Sequence, residues 1–156
     1  MNEEVSFPQD VTYISEYEFS NNSVLKTVFI HKNIKIIGKK AFKNCKELRN
    51  VIFEQMNEIV LCNSCFQGCF ELNTIILPEG LKKIPKKCFM NCFRLKNVVL
   101  PTSLIKIDQY SFYNCLMLES IRVTKHEKNK LNGVLVLDDT INQLIQQKKD
   151  DFCFIS

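Results

Sequence analysis

Four cysteines, Cys65, Cys69, Cys88 and Cys92, stand in the spacing C-x3-C-x18-C-x3-C within the runs "CNSCFQGCF" and "KCFMNCF". Four thiolates so arranged are donors of a structural zinc ion, and the same residues oxidised would make a disulfide framework. Cys62 sits beside them, and Cys45, Cys115 and Cys153 complete the eight cysteines of the 156-residue chain. Which chemistry applies depends on what else keeps their spacing.

What keeps it is a repeat. Phe19, Phe42, Phe66, Phe89 and Phe112 follow one another at intervals of 23, 24, 23 and 23 residues. Three places after each Phe come Asn22, Cys45, Cys69, Cys92 and Cys115, and six places after it Leu25, Leu48, Leu72, Leu95 and Leu118. Nine places after it are Val28, Val51, Ile75, Val98 and Ile121, and five before it Ile14, Ile37, Leu61, Ile84 and Ile107. Eleven places after it Ile30, Phe53, Leu77, Leu100 and Val123 close the pattern. Self-similarity at this period marks a solenoid, whose units bury their apolar sides only by stacking. Apolar alternation in "TIILP" and "NVVLP" reads as strands ended by proline. "KAFKNC" reads as a single helical turn, and the extra residue of the third unit, near Met56–Ile59, as a loop bulge.

The columns combine into L-x-x-[VI]-x-[LIFV], followed by Pro78 and Pro101, then [LI]-x-x-I and a small residue before Phe. With these motifs the chain resembles the BspA-type branch of the leucine-rich repeat family. The unit "LKNVVLPTSLIKIDQYSFYNC" (95–115) follows that pattern almost throughout. The resemblance runs from Val5 to Thr124 and extends weakly into "LNGVLVLDDTINQLI" (131–145), which looks like a hairpin of the same family. It implies an α/β repeat solenoid, β-rich with short helical turns, built on a single parallel sheet with a C-terminal hairpin. The expected layout is a partial first repeat over 1–10, five repeats over 11–124, and a hairpin or cap with a tail over 125–156. Adhesion or scaffolding without catalysis is the role this resemblance implies.

The repeat answers the cysteine question. Cys45, Cys69, Cys92 and Cys115 fill one column, and Cys65 and Cys88 take the small-residue position held elsewhere by Ala41 and Ser111. Repeat position alone accounts for all six as small buried thiols, so neither metal nor cofactor is expected. Stacked side chains point the same way, which favours reduced thiols over disulfides and hence an intracellular setting. Chemistry of other kinds has little to work with. The two histidines, His31 and His126, stand in no Cys–His or Ser–His–Asp arrangement, and no glycine-rich phosphate loop occurs. An enzyme is not expected. Asn21-Asn22-Ser23 matches a glycosylation sequon but straddles the buried column.

Three surfaces remain. The outward strand positions form a polar column, Thr27, Asn50, Thr74, Asn97 and Ser120, beside a largely apolar one, Phe29, Ile52, Ile76, Val99 and Arg122. With His31 and Glu54 just past their strands, these make the expected partner-binding surface on the concave sheet. Phe70, Phe93, Leu116 and Met117 form an edge that either supports self-association, giving a homo-oligomer, or folds inward as core. No polar N-terminal cap is recognisable ahead of the first unit. Lysines 35, 39, 40, 43 and 46, then 82, 83, 86 and 87, cluster on the return segments. They read as a solvated convex face, with an anionic surface as the alternative ligand; nucleic acid and membrane are not the expected partners.

Bulk properties agree. A chain 46% hydrophobic and 24% charged is globular, and a net charge of +4 is too small to argue for nucleic acid. The start "MNEEVSFPQD" lacks an apolar signal core, and no apolar run spans a bilayer, so a cytoplasmic location is expected. A longer parent chain would leave a surface location open.

Overall fold

The triplet around each Val/Ile column and the residue pair ending at each upstream Ile/Leu both become strands. In the computed structural model, which describes residues 2–123, eleven short strands follow in chain order. Six form a front row: β1 (Glu4–Ser6), β3 (Thr27–Ile30), β5 (Asn50–Phe53), β7 (Thr74–Ile76), β9 (Asn97–Leu100) and β11 (Ser120–Val123). Five form a return row: β2 (Tyr13–Ile14), β4 (Ile36–Ile37), β6 (Val60–Leu61), β8 (Lys83–Ile84) and β10 (Lys106–Ile107). All pairings are parallel and one coil apart, as in Val28 with Val51 and Ile14 with Ile37. The chain is thus a parallel β-solenoid of about five turns. The expected hairpin and tail lie outside the described residues.

Inward positions of both rows meet in one core. Val28, Ile75 and Val98 from the front, Ile14, Ile37 and Ile84 from the return, and Leu25, Leu48, Leu72 and Leu95 from the corner are fully buried. Each such side chain contributes about 1.5–3 kcal/mol of burial. The repeat phenylalanines close the third side as a stack, Phe19 on Phe42 at 5.2 Å and Phe42 on Phe66 at 5.3 Å, with rings within 5° of parallel. Phe7 caps this stack edge-on, 5.9 Å from Phe19 at 81°. The partial first coil thus covers the Phe19 end of the stack with an apolar ring. An ion pair between Lys26 and Glu3 (2.6 Å) and the parallel pairing of β1 with β3 hold it down.

Two expectations about the elements need revising. The single parallel sheet is in fact two rows, because the two-residue return segments also pair from coil to coil. The helical turn at "KAFKNC" is a run of tight turns, and no helix occurs among the described residues. Lys40 and Asn44 have φ of 57° and 59°, left-handed values that stop a right-handed helix within one turn. Bonding alternates instead. Ala41, Lys43 and Cys45 donate locally to Gly38, Lys40 and Phe42, while Lys40, Phe42 and Asn44 donate across to Asn63, Cys65 and Gln67. This gives the solenoid a third hydrogen-bond ladder.

The extra residue of the third unit leaves a seam. No ladder joins β5 to β7 or β6 to β8; a lone bridge between Ile59 and Leu81 is the return-row pairing across it. Phe66 and Phe89 flank the seam at 5.7 Å, the widest spacing in the stack. Gly80 faces the bulge with φ of 90°, and a Cβ there would collide with the Asn57 carbonyl. The turn ladder stays whole across the seam, with Phe66 N–H donating to Cys88 at 3.1 Å and Gly68 N–H to Met90 at 2.8 Å.

Candidate interaction surface

The thiols carry the strongest chemical signal of the repeat. The Cys45, Cys69, Cys92 and Cys115 Sγ–H groups donate to the carbonyls of Phe19, Phe42, Phe66 and Phe89 on the preceding coil, at 3.0–3.3 Å. Asn22 heads the column differently, its Oδ1 accepting from the Val24 and Leu25 N–H groups at 3.0 Å. Burial pushes the Cys45 thiol up to about 12, and drives Cys69, Cys88 and Cys92 well above the ordinary thiol range. Such thiols favour the protonated form at neutral pH and are poor nucleophiles. Among the described residues no group of three or more His, Cys, Asp or Glu side chains is placed to hold a metal ion.

His31 is not the exposed polar residue expected past its strand. It is buried, with Nε2 3.0 Å from the Pro8 carbonyl and Nδ1 accepting the Asn33 N–H at 3.3 Å. Both ring nitrogens thus have hydrogen-bond partners within the protein. The partial first coil covers it.

The outward face of the front row carries the rest of the expected partner surface. Phe29 (39%), Ile52 (47%) and Ile76 (60%) are exposed in consecutive coils, Val99 is half-buried, and Arg122 ends the row in solvent. Register places them side by side, Phe29 against Ile52 and Val99 against both Ile76 and Arg122. In the polar column beside them Asn50 Nδ2 donates to Thr27 Oγ1 at 3.3 Å and Ser120 Oγ to Asn97 Oδ1 at 2.8 Å. Thr74 turns to Asn73 Oδ1 at 3.2 Å. Thr27 itself is buried beneath the first coil, where the Glu3 carbonyl takes its N–H, so Thr27 and His31 drop out of the accessible surface. Glu54 stays exposed, its carboxylate accepting the Lys32 N–H at 3.1 Å.

The edge residues divide. Phe70 and Phe93 are half-buried and stack on one another at 4.6 Å, with Lys46 Nζ 5.6 Å above the Phe70 ring. Leu116 and Met117 are exposed. On the return side, Asp108 accepts Lys83 at 2.6 Å and Lys106 at 3.2 Å, and Tyr17 OH meets Lys40 Nζ at 3.1 Å. These hydrogen bonds, from Lys83 first, hold the Asp108 carboxyl below its usual range, and the one from Lys40 lowers the Tyr17 phenol.

Comparison with known proteins places this geometry. Residues 59–133 match the family model described as "BspA type Leucine rich repeat region (6 copies)". A leucine rich cell surface protein from Faecalibacterium prausnitzii superposes with a TM-score of 0.73 at 29% identity, over 81% of this chain and 33% of its own. The leucine-rich repeat protein of T. pallidum gives 0.71 at 26%, over 76% of this chain and 57% of its own. One from Eubacterium ventriosum gives 0.68 at 25%, over 81% and 33%. The chain therefore spans about a third to just over half the length of these neighbours. No curated protein matches it.

Proposed function

Because the matched repeats belong to the BspA-type leucine-rich repeat family, whose members generally bind other proteins, we propose that this chain is a non-catalytic module holding a protein partner against its front sheet. The observation that carries the reading is the exposed row Phe29, Ile52 and Ile76 on consecutive coils beside the polar Asn50, Thr74 and Asn97. An apolar strip of this kind, lined by hydrogen-bonding side chains at regular spacing, fits an interface core with an adjoining polar contact row. Burial of six of the thiols, Cys45, Cys65, Cys69, Cys88, Cys92 and Cys115, and of His31 takes these side chains out of contact with any substrate, which supports the non-catalytic part. The Faecalibacterium neighbour is described as a cell surface protein, and adhesion is the form of partner binding that this description favours here.

The test is capture of partners from the source cell by the parent and by Ile52→Lys/Ile76→Lys. Both positions are exposed, so the variant should melt with the parent. Partners retained by the parent and lost by the variant are the expected outcome; identical sets from both proteins would refute the front sheet as the binding face.

Leu116 and Met117 support a second reading, in which another copy of the chain covers this exposed pair. Light scattering would then show an oligomer that Met117→Glu dissociates, and a monomeric parent would exclude it.

A further inference from the structure

To the lysine cluster of the return segments the structure adds a column of exposed apolar side chains on the return row. Tyr13, Ile36 and Val60 occupy successive outward positions of β2, β4 and β6, and are 56%, 41% and 51% exposed. Lys83 and Lys106 continue the column in β8 and β10, and Ile105 beside them is 72% exposed. The return and turn segments 12–21, 35–44, 58–68, 82–91 and 105–114 hold nine lysines against four carboxylates, in a chain whose net charge is +4. Of those carboxylates Asp108 is already shared by Lys83 and Lys106. Lys35, Lys39, Lys43, Lys82, Lys86 and Lys87 make no ion pair with a described residue.

We propose that this return face docks on a membrane leaflet carrying anionic phospholipid headgroups. The unpaired ammonium groups of the return and turn segments are attracted by the negative surface, and the exposed side chains of the return strands enter the boundary between headgroup and acyl chain. Ile36, Val60 and Ile105 supply the apolar contact, while Tyr13 has the amphipathic ring that favours this boundary. Five coils stacked at about 4.8 Å make the face roughly 19 Å across, a breadth that meets a lipid surface without rearrangement. Nucleic acid fits less well, because a phosphate backbone offers nothing to three exposed aliphatic side chains. The front row lies across the core and stays free to hold a protein, so docking here does not depend on the reading above.

Co-flotation of the purified full chain tests it, with vesicles of phosphatidylcholine alone and of phosphatidylcholine mixed with phosphatidylserine. Binding to the mixed vesicles only, weakened by added salt, is the expected result. Lys39→Glu/Lys86→Glu should lower partitioning by at least roughly five-fold for each lysine removed. Ile36→Ser/Val60→Ser should lower it several-fold at constant charge, whereas the front-row control Ile76→Ser should leave it unchanged. Circular dichroism melts check that the variants fold, and Lys39→Gln/Lys86→Gln replaces the charge reversal if that one does not. Absence of flotation with the mixed vesicles overturns the proposal. So does flotation that ignores Ile36→Ser/Val60→Ser while RNA or polyglutamate is retained equally well, which would mean nonspecific charge attraction or a different macromolecule.

Discussion

The Sγ atoms of Cys65 and Cys88 lie 3.4 Å apart on adjacent coils, in hydrogen-bond contact and without a bond between them. They face each other across the seam where both strand rows lose their ladder, so packing and the turn ladder hold the two halves together at this point. Burial keeps Cys88 protonated and therefore slow to attack any reagent. Iodoacetamide at neutral pH should modify half-exposed Cys62 and leave Cys45, Cys65, Cys69, Cys88, Cys92 and Cys115 untouched until denaturant is added. Burial also raises the Cys62 thiol, so its labelling should be slow and should quicken as pH rises past the ordinary thiol range. Mass spectrometry of the labelled peptides reads this out, and native labelling of Cys88 at the rate of Cys62 would contradict it.

Cys92 tests the thiol column. Its Sγ–H donates to the Phe66 carbonyl at 3.3 Å, an oxygen that the Cys69 N–H also reaches at 3.4 Å. Cys92→Ala loses one weak hydrogen bond and leaves only a small void, a cost of about 1–2 kcal/mol. Cys92→Ser should cost a similar amount, because a hydroxyl can still donate to that carbonyl. Cys92→Lys places a charge in a fully buried site and should cost several kcal/mol or prevent folding. Urea titration separates these outcomes, and a Cys92→Lys that unfolds with the parent would mean the column faces solvent.

Gly68 interrupts an asparagine column. Asn21, Asn44, Asn91 and Asn114 sit at equivalent positions with φ near 60°, and Gly68 shares their left-handed conformation at 74°. Asn44 Nδ2 donates to Asn21 Oδ1 and Asn114 Nδ2 to Asn91 Oδ1, both at 3.0 Å, but the column breaks at Gly68. There the Asn44 Oδ1 occupies the room a Cβ would take, and as the end of a flexible side chain it can swing aside. Gly68→Asn should therefore hold or raise the melting temperature, gaining up to about 1 kcal/mol from a less mobile unfolded chain. Gly68→Val should lose about 1–3 kcal/mol, because a β-branched residue is strained at this φ. A Gly68→Asn protein that melts well below the parent would show that Asn44 cannot move.

The Phe, Leu, Cys and Val/Ile columns were legible because burial dictates residue type wherever coils stack in register. The asparagine column two places after each Phe was equally visible in the sequence. Its meaning lies in backbone conformation, which Asn and Gly tolerate and hydrophobic periodicity does not report. The return segments could be read only as brief helical or extended stretches, because two residues, such as Tyr13-Ile14, are too short to show alternation. Thr27 and His31 were misplaced because what covers them, the Glu3 and Pro8 carbonyls, belongs to the partial coil and has no counterpart in later repeats. The extra residue near Met56 was visible, yet its consequence, one seam through both strand rows, depends on three-dimensional spacing.

Asp108 gives the stability a dependence on acid pH. Its carboxylate takes Lys83 at 2.6 Å and Lys106 at 3.2 Å, and these bonds lower its folded-state pKa. A group whose pKa is lower when folded adds stability above its unfolded value, about 3.9 for Asp, and loses it as pH falls through the folded value. Both lysines are half or more exposed, which limits the contribution at neutral pH to about 1 kcal/mol. Asp108→Asn should therefore be slightly less stable than the parent at neutral pH, and the two should converge in acid. Lys83→Met should lose part of this difference, because Lys106 still reaches the carboxylate. Urea denaturation from about pH 7 to about pH 2 measures the convergence. Curves for parent and Asp108→Asn that stay parallel over the whole range would show that the two lysine contacts contribute nothing to folding.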